Sequence, residues 1–139
     1  MYAKLLIGVI ISACLATTAA FAGTPAPGDA QLYFITPKDG EVIIGPVTIK
    51  FGLKGMGVAP AGIDNPNTGH HHLLINVDKP MFNKPIPADA QHKHFGGGQT
   101  ETTLDLPPGK HTLQLILGDM AHVPHEPPVM SEKITITVR

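Results

Sequence analysis

Val47-Thr48-Ile49-Lys50-Phe51 alternates apolar and polar residues without a break. In an extended chain this puts Val47, Ile49 and Phe51 on one face and Thr48 and Lys50 on the other. Such a strand is covered on one side and wet on the other. Outward from it, the same kind of segment recurs at residues 31–35 and 42–44 before it, and at 70–77, 100–106, 111–117 and 133–138 after it. Pro, Gly, Asn and Asp separate these runs, and no stretch keeps a helical period for ten residues. About seven short strands in a chain of this size predict an all-β fold, an antiparallel β-sandwich with long loops. Leu113, Leu115 and Leu117 are expected to point inward together with His111, which is read as structural. Ile134, Ile136 and Val138 do the same in the last strand. Pro107-Pro108-Gly109-Lys110 has the length of a hairpin turn between the two strands that flank it.

The first 22 residues have a different character. Lys4 precedes an apolar run, and Ala20-Phe21-Ala22 is a small-x-small cleavage site, so residues 1–22 read as a secretory signal peptide and 23–139 as one β-sandwich domain. The apolar run falls short of the roughly 20 residues that a spanning helix needs. The expected location is the bacterial periplasm or the medium. The alternative is lipoprotein anchoring through Cys14 in Ile11-Ser12-Ala13-Cys14. Cys14 is the one cysteine of the chain, so the domain itself has no disulfide, no thiolate ligand and no cysteine nucleophile. Ten basic residues against eleven acidic ones, without a basic run, argue against a nucleic-acid partner.

The chemistry is carried by histidine. Gly69-His70-His71-His72-Leu73-Leu74-Ile75-Asn76-Val77-Asp78 runs three imidazoles into an apolar strand. By alternation His70 and His72 share one face, while His71 joins Leu73, Ile75 and Val77 on the other. His92 and His94 repeat the i, i+2 spacing beside Gly96-Gly97-Gly98, and His122 and His125 lie near Asp119, Met120 and Glu126. The long connections at residues 52–69, 78–98 and 118–131 carry or flank these groups, and loops of that length inside a compact domain are usually functional. If the 78–98 loop climbs back along its own strand, all three clusters meet at one end of the sandwich. Convergence is the expected arrangement.

Paired imidazoles without thiolates suit a divalent transition metal, copper(II) first, with zinc or nickel next. Calcium is disfavoured, since no run of carboxylates has loop-like spacing. The candidate ligands are His70, His72, His92, His94, His122 and His125, with His71, Asp119 and Met120 as secondary candidates and Glu101 as a partner that would orient an imidazole. Binding requires deprotonated imidazole, so affinity is expected to fall as pH drops through the histidine range near 6.5.

The motifs Gly69-His70-His71-His72-Leu73-Leu74, His94-Phe95-Gly96-Gly97-Gly98-Gln99-Thr100-Glu101 and Gly109-Lys110-His111-Thr112-Leu113 resemble those of a bacterial family of exported single-domain proteins of unknown function, sometimes labelled rod-shape-determining. The likeness runs from about residue 33 to 138 and implies an exported bacterial domain, without adding an activity. Separately, residues 33–53 and 106–117 resemble immunoglobulin-like bacterial modules, which implies that the antiparallel β-sandwich is immunoglobulin-like. Three functions follow as expectations. The first is a periplasmic metal-binding module acting as carrier, buffer or sensor, with the metal ion as its partner. The second is a metal-dependent enzyme with a histidine-lined site. The third is an immunoglobulin-like envelope module that binds another envelope protein and uses its histidines structurally.

Overall fold

The computed structural model describes residues 22–139, so nearly all of the segment read as a signal peptide, Cys14 included, lies outside the described residues. The described chain is all-β. Its nine strands are β1 (Gln31–Thr36), β2 (Val42–Ile43), β3 (Val47–Lys54), β4 (Gly57–Val58), β5 (Thr68–Ile75), β6 (His92–His94), β7 (Glu101–Leu104), β8 (Gly109–Gly118) and β9 (Ile134–Val138). Two of them, β4 and β6, come from stretches expected to be loop. Among the described residues no helix is long and apolar enough to cross a membrane.

The strands form two sheets. One has the order β1-β3-β7, and the other the order β2-β9-β8-β5-β4 with β6 also beside β5. Alternation in β1 and β3 sends Leu32, Phe34, Val47, Ile49 and Phe51 inward, where they meet Leu73 and Ile75 of β5, Leu113, Leu115 and Leu117 of β8, and Ile134, Ile136 and Val138 of β9. Each such side chain contributes roughly 1.5–3 kcal/mol by leaving water. Truncating one at the centre, Leu115→Ala for example, costs about 2–5 kcal/mol because the facing sheet cannot close the gap. The pairing is antiparallel except where β2 runs parallel to β9 and β4 parallel to β5.

Two local expectations are corrected. β7 and β8 are not a hairpin, since β7 pairs with β3 while β8 pairs with β5 and β9. Pro107 and Pro108 have no N–H to extend a ladder, and the Pro107 carbonyl accepts from His111 Nε2 at 2.7 Å, so the link carries the chain from one sheet to the other. Val77 does not share the inner face with Ile75. Asn76 has a left-handed φ of 57°, which ends the strand and turns Val77 onto the outer cluster of Leu74, Ile86 and Ile116. Asn76 is held there by the Thr112 N–H, which donates to its Oδ1 at 2.9 Å, and by its own Nδ2, which donates to His111 Nδ1 at 3.1 Å. Both nitrogens of His111 are thus engaged, in keeping with a structural role.

The outer cluster decides what happens to the histidines. The residues after β5 fold back over the outer face of the larger sheet and bury Ile86 against Leu74 and Ile116. The Ile86 N–H also donates to the His122 carbonyl at 2.8 Å, tying this loop to the one that follows β8. The face that alternation alone would leave wet is therefore roofed.

Candidate metal centre

On that roofed face, β5 presents His70 and His72, with 0 % and 1 % of their surface exposed. β6 runs antiparallel to β5 and sets His94 opposite His72, while β8 ends with Gly118 opposite His70 and the next turn delivers His122. The chain climbs back along β5 as expected, so three segments distant in sequence converge. The Nε2 atoms of His70 and His72 are 3.0 Å apart. Ring centroids are separated by 5.0 Å for His70 and His94, 5.0 Å for His70 and His122, 5.0 Å for His72 and His94, and 4.7 Å for His94 and His122. One ligand nitrogen from each of His70, His94 and His122 lies within 4.8 Å of the others. Two nitrogens on one tetrahedral ion, each bonded at about 2.0 Å, lie about 3.3 Å apart, so the set is close to coordination size. His94 is exposed and His122 half-buried, so the cluster has a buried floor and an open side.

Glycine and aspartate shape the floor. A Cβ on Gly118 would lie 2.9 Å from His72 Nε2 and 3.5 Å from the His122 backbone, so a side chain there would occupy the space of the cluster. The His94 ring likewise folds against Gly96, where a Cβ would sit 2.4 Å from it. Asp119 is buried and is no free ligand. Its Oδ1 accepts from the Ala121 and Val123 N–H groups at 2.9 and 3.0 Å, and its Oδ2 from the Thr24 N–H at 3.1 Å. The Asp119 carbonyl also accepts from the His122 N–H at 2.9 Å, closing the turn. These bonds hold His122 at a left-handed φ of 66°, a conformation that a non-glycine side chain disfavours by roughly 1–3 kcal/mol.

Burial disfavours protonation of His70, His72 and His94. Burial pushes His72 down to about 2, with the neighbouring His70, His94 and His122 adding to the effect. Burial likewise lowers His70 to about 4, helped by His122 and His94 and opposed by the carboxylate of Asp119. His94 is lowered too, by desolvation first and then by His122. Unprotonated imidazole is the metal-binding form.

The remaining candidates stand elsewhere. His92 pairs with Leu74, two register positions from His94, and its Nδ1 binds Asp89 Oδ1 at 2.8 Å, a contact that lowers the Asp89 carboxyl. His125 lies on the inner side of β5, its Nε2 where a Gly69 Cβ would be and its Nδ1 2.9 Å from Thr24 Oγ1. Burial lowers its pKa. His71 faces inward as alternation predicts, stacked 5.0 Å from Phe51, and burial pushes it down to about 4. Glu101 sits on the other sheet beside Lys50 at 4.0 Å and orients no imidazole of the cluster. Met120 is exposed on a cleft lined by Thr24, Ile63 and Thr68. Gly118, Thr24 and Ile86 support the site without any spacing signal that marks them. Asp119 does carry one, because aspartate followed by free N–H groups two and four residues on is a turn-capping pattern.

A two-sheet β domain with a roofed cluster of histidines, of which His70, His94 and His122 bring ligand nitrogens within 4.8 Å of one another, is the class that fold and site define. The chain belongs to the family described as Domain of unknown function (DUF4399), whose model matches residues 49–139 and so takes in every member of the cluster. No curated protein matches it. Among solved structures, the X-ray structure of the endo-beta-1,4-mannanase from Thermotoga petrophila is similar with a TM-score of 0.45 and 23% identity, over 80% of this chain and 20% of that one. The chain thus spans about a fifth of that enzyme's length, and the likeness is too distant to bear on function.

Proposed function

We propose that this protein is an exported metal-binding module that holds a divalent transition ion, copper(II) before zinc or nickel, between His70, His72, His94 and His122, and acts in the periplasm as a carrier, buffer or sensor. The observation that carries this reading is the meeting of His70, His94 and His122 from three separate segments, with ligand nitrogens within 4.8 Å of one another and no carboxylate among them, and with His72 Nε2 3.0 Å from that of the buried His70. A nitrogen-only donor set favours copper(II) by the general affinity order for divalent ions. The leader-like residues 1–22 support export.

Calorimetric titration of chelator-stripped protein with copper(II) and zinc(II), beside a His70→Ala/His72→Ala variant, tests it. Stoichiometric binding that disappears in the variant is the expected result. Equal binding by both proteins, or binding no tighter than a loose histidine pair, overturns the assignment.

A further inference from the structure

The charges around the cluster do not balance those of the ion it is built to hold. Four neutral imidazoles leave a divalent cation with its whole charge of two. Among the described residues, no carboxylate belongs to the group of donors that lie close enough to share an ion. The acids expected to be near are committed elsewhere. Asp119, close enough to act on His70 through space, offsets one unit of that charge, but both its oxygens are bound to backbone N–H groups and it is no ligand; Asp89 is bonded to His92, and Glu101 lies beside Lys50. Behind the cluster, the His70 and His72 rings are closed off from water, and an uncompensated charge is costly where the surroundings are poorly polarisable. On the His94 side the cluster is open. Copper(II) in a nitrogen field also keeps positions beyond four for weaker ligands.

We propose that the ion in this centre takes a small monovalent anion from solution as a further ligand on the His94 side, so that the protein binds metal and anion together. The inference rests on the four-histidine reading. It assigns the open side a ligand class, oxygen- or nitrogen-donor anions of a few atoms, such as hydroxide or a small carboxylate. With Asp119 countering one unit of charge from behind, the anion supplies the other, and it reaches the ion without displacing the buried pair on β5.

Azide is a suitable probe, because its charge-transfer absorption with copper(II) appears only on direct ligation. Full-length protein is loaded with one equivalent of copper(II) in a buffer without coordinating anions. Copper occupancy is confirmed by calorimetry, and azide is then titrated while absorption and electron paramagnetic resonance are followed. A saturable charge-transfer band with one azide per copper is expected. In a copper-loaded His94→Glu variant, whose carboxylate supplies charge at the same opening, azide affinity is expected to fall about tenfold or more, by like-charge repulsion at short range. Copper bound with no azide band overturns the anion inference and leaves the metal centre standing as a closed site. Unweakened azide binding in the variant overturns the charge argument. Failure to bind copper at all overturns both readings.

Discussion

His70 and His72 face each other through their Nε2 atoms at 3.0 Å, while the Nδ1 atom of each lies buried without a partner. Between two neutral rings one Nε2 donates and the other accepts, so the accepting ring carries its proton on a buried Nδ1 with nothing to receive it. Such an unmet donor costs about 1–3 kcal/mol. A bound ion would take both Nε2 lone pairs, which puts a proton on each buried Nδ1, and its coordination energy would have to exceed the cost of both unmet donors. Copper(II) at about a thousandfold above its dissociation constant would stabilise the fold by about 4 kcal/mol, which for a domain of this size raises Tm by about 15 °C. Scanning calorimetry of apo and loaded protein measures it. An unchanged Tm at saturating copper would show that the folded protein binds no ion in preference to the unfolded chain, which overturns the site.

The pH window follows from the same burial. His70 and His72 titrate at about 4 and about 2, and His94 below its ordinary value. Four ordinary imidazoles with a pKa near 6.5 would each lose about thirtyfold to protons at pH 5, about a millionfold together. Because burial holds His70 and His72 well below that range and lowers His94 as well, copper affinity is expected to fall far less than that between pH 7 and pH 5, and to drop further as pH falls through about 4, where His70 takes its proton. The sequence alone placed that loss near 6.5. Competition titration with a chelator of known affinity at each pH separates the two.

The apo fold should show the matching stability change. Groups with depressed folded pKa values let the unfolded chain bind more protons below about 6.5, so stability is fully present above that pH and is lost as pH falls through the folded values. His71, at about 4 and outside the metal cluster, accounts for on the order of 3 kcal/mol of this loss. That is a large share of the roughly 5–15 kcal/mol of a typical domain. Denaturant midpoints of metal-free protein should drop steadily between pH 7 and pH 4, and a His71→Phe variant should flatten the slope. A slope identical in the variant would refute the assignment.

Much of this was legible in the sequence, and the parts that were not have identifiable causes. Alternation at Val47 to Phe51 and at His70 to Leu73 fixes strand type and face, because period two is a local property of the chain. Strand register is not local. His92 and His94 share a face as their spacing implies, but only the pairing of His94 with His72 and of His92 with Leu74 decides which of them reaches the cluster. Topology misled at the Pro107-Pro108 link, where hairpin length concealed a crossing between sheets. Asp119 read as a donor because its type suits a metal. Its three backbone bonds depend on Thr24, 95 residues away, as well as on its own turn.

That register difference makes a selective prediction. His92→Ala removes an imidazole bonded to Asp89 at the surface, and copper affinity should stay within about twofold of wild type, since surface changes away from a site rarely exceed about 0.5 kcal/mol. His94→Ala should weaken binding by a hundredfold or more, as one of only four donors. For the turn residue, His122→Asn is the informative change, since asparagine tolerates the left-handed backbone at this position and the variant loses the ligand without added strain. If His92→Ala and His94→Ala weaken binding equally, the ion bridges both members of β6 and the cluster is wrongly drawn.

Gly118 supplies the strictest test of the geometry, because it contributes no donor. A methyl group there would stand 2.9 Å from His72 Nε2 and 3.1 Å from its Cδ2, closer than packed atoms tolerate. His72 cannot swing away freely, because it is buried beneath the roof and in contact with His70. The ring must therefore tilt out of line with the other three. Gly118→Ala is expected to cost about 1–3 kcal/mol of stability by overpacking, and to weaken copper binding at least tenfold even though every ligand remains. Thermal melts and calorimetric titration of the one variant measure both effects. If stability falls while copper affinity is untouched, His72 is not a ligand, and the ion is held by His70, His94 and His122 alone.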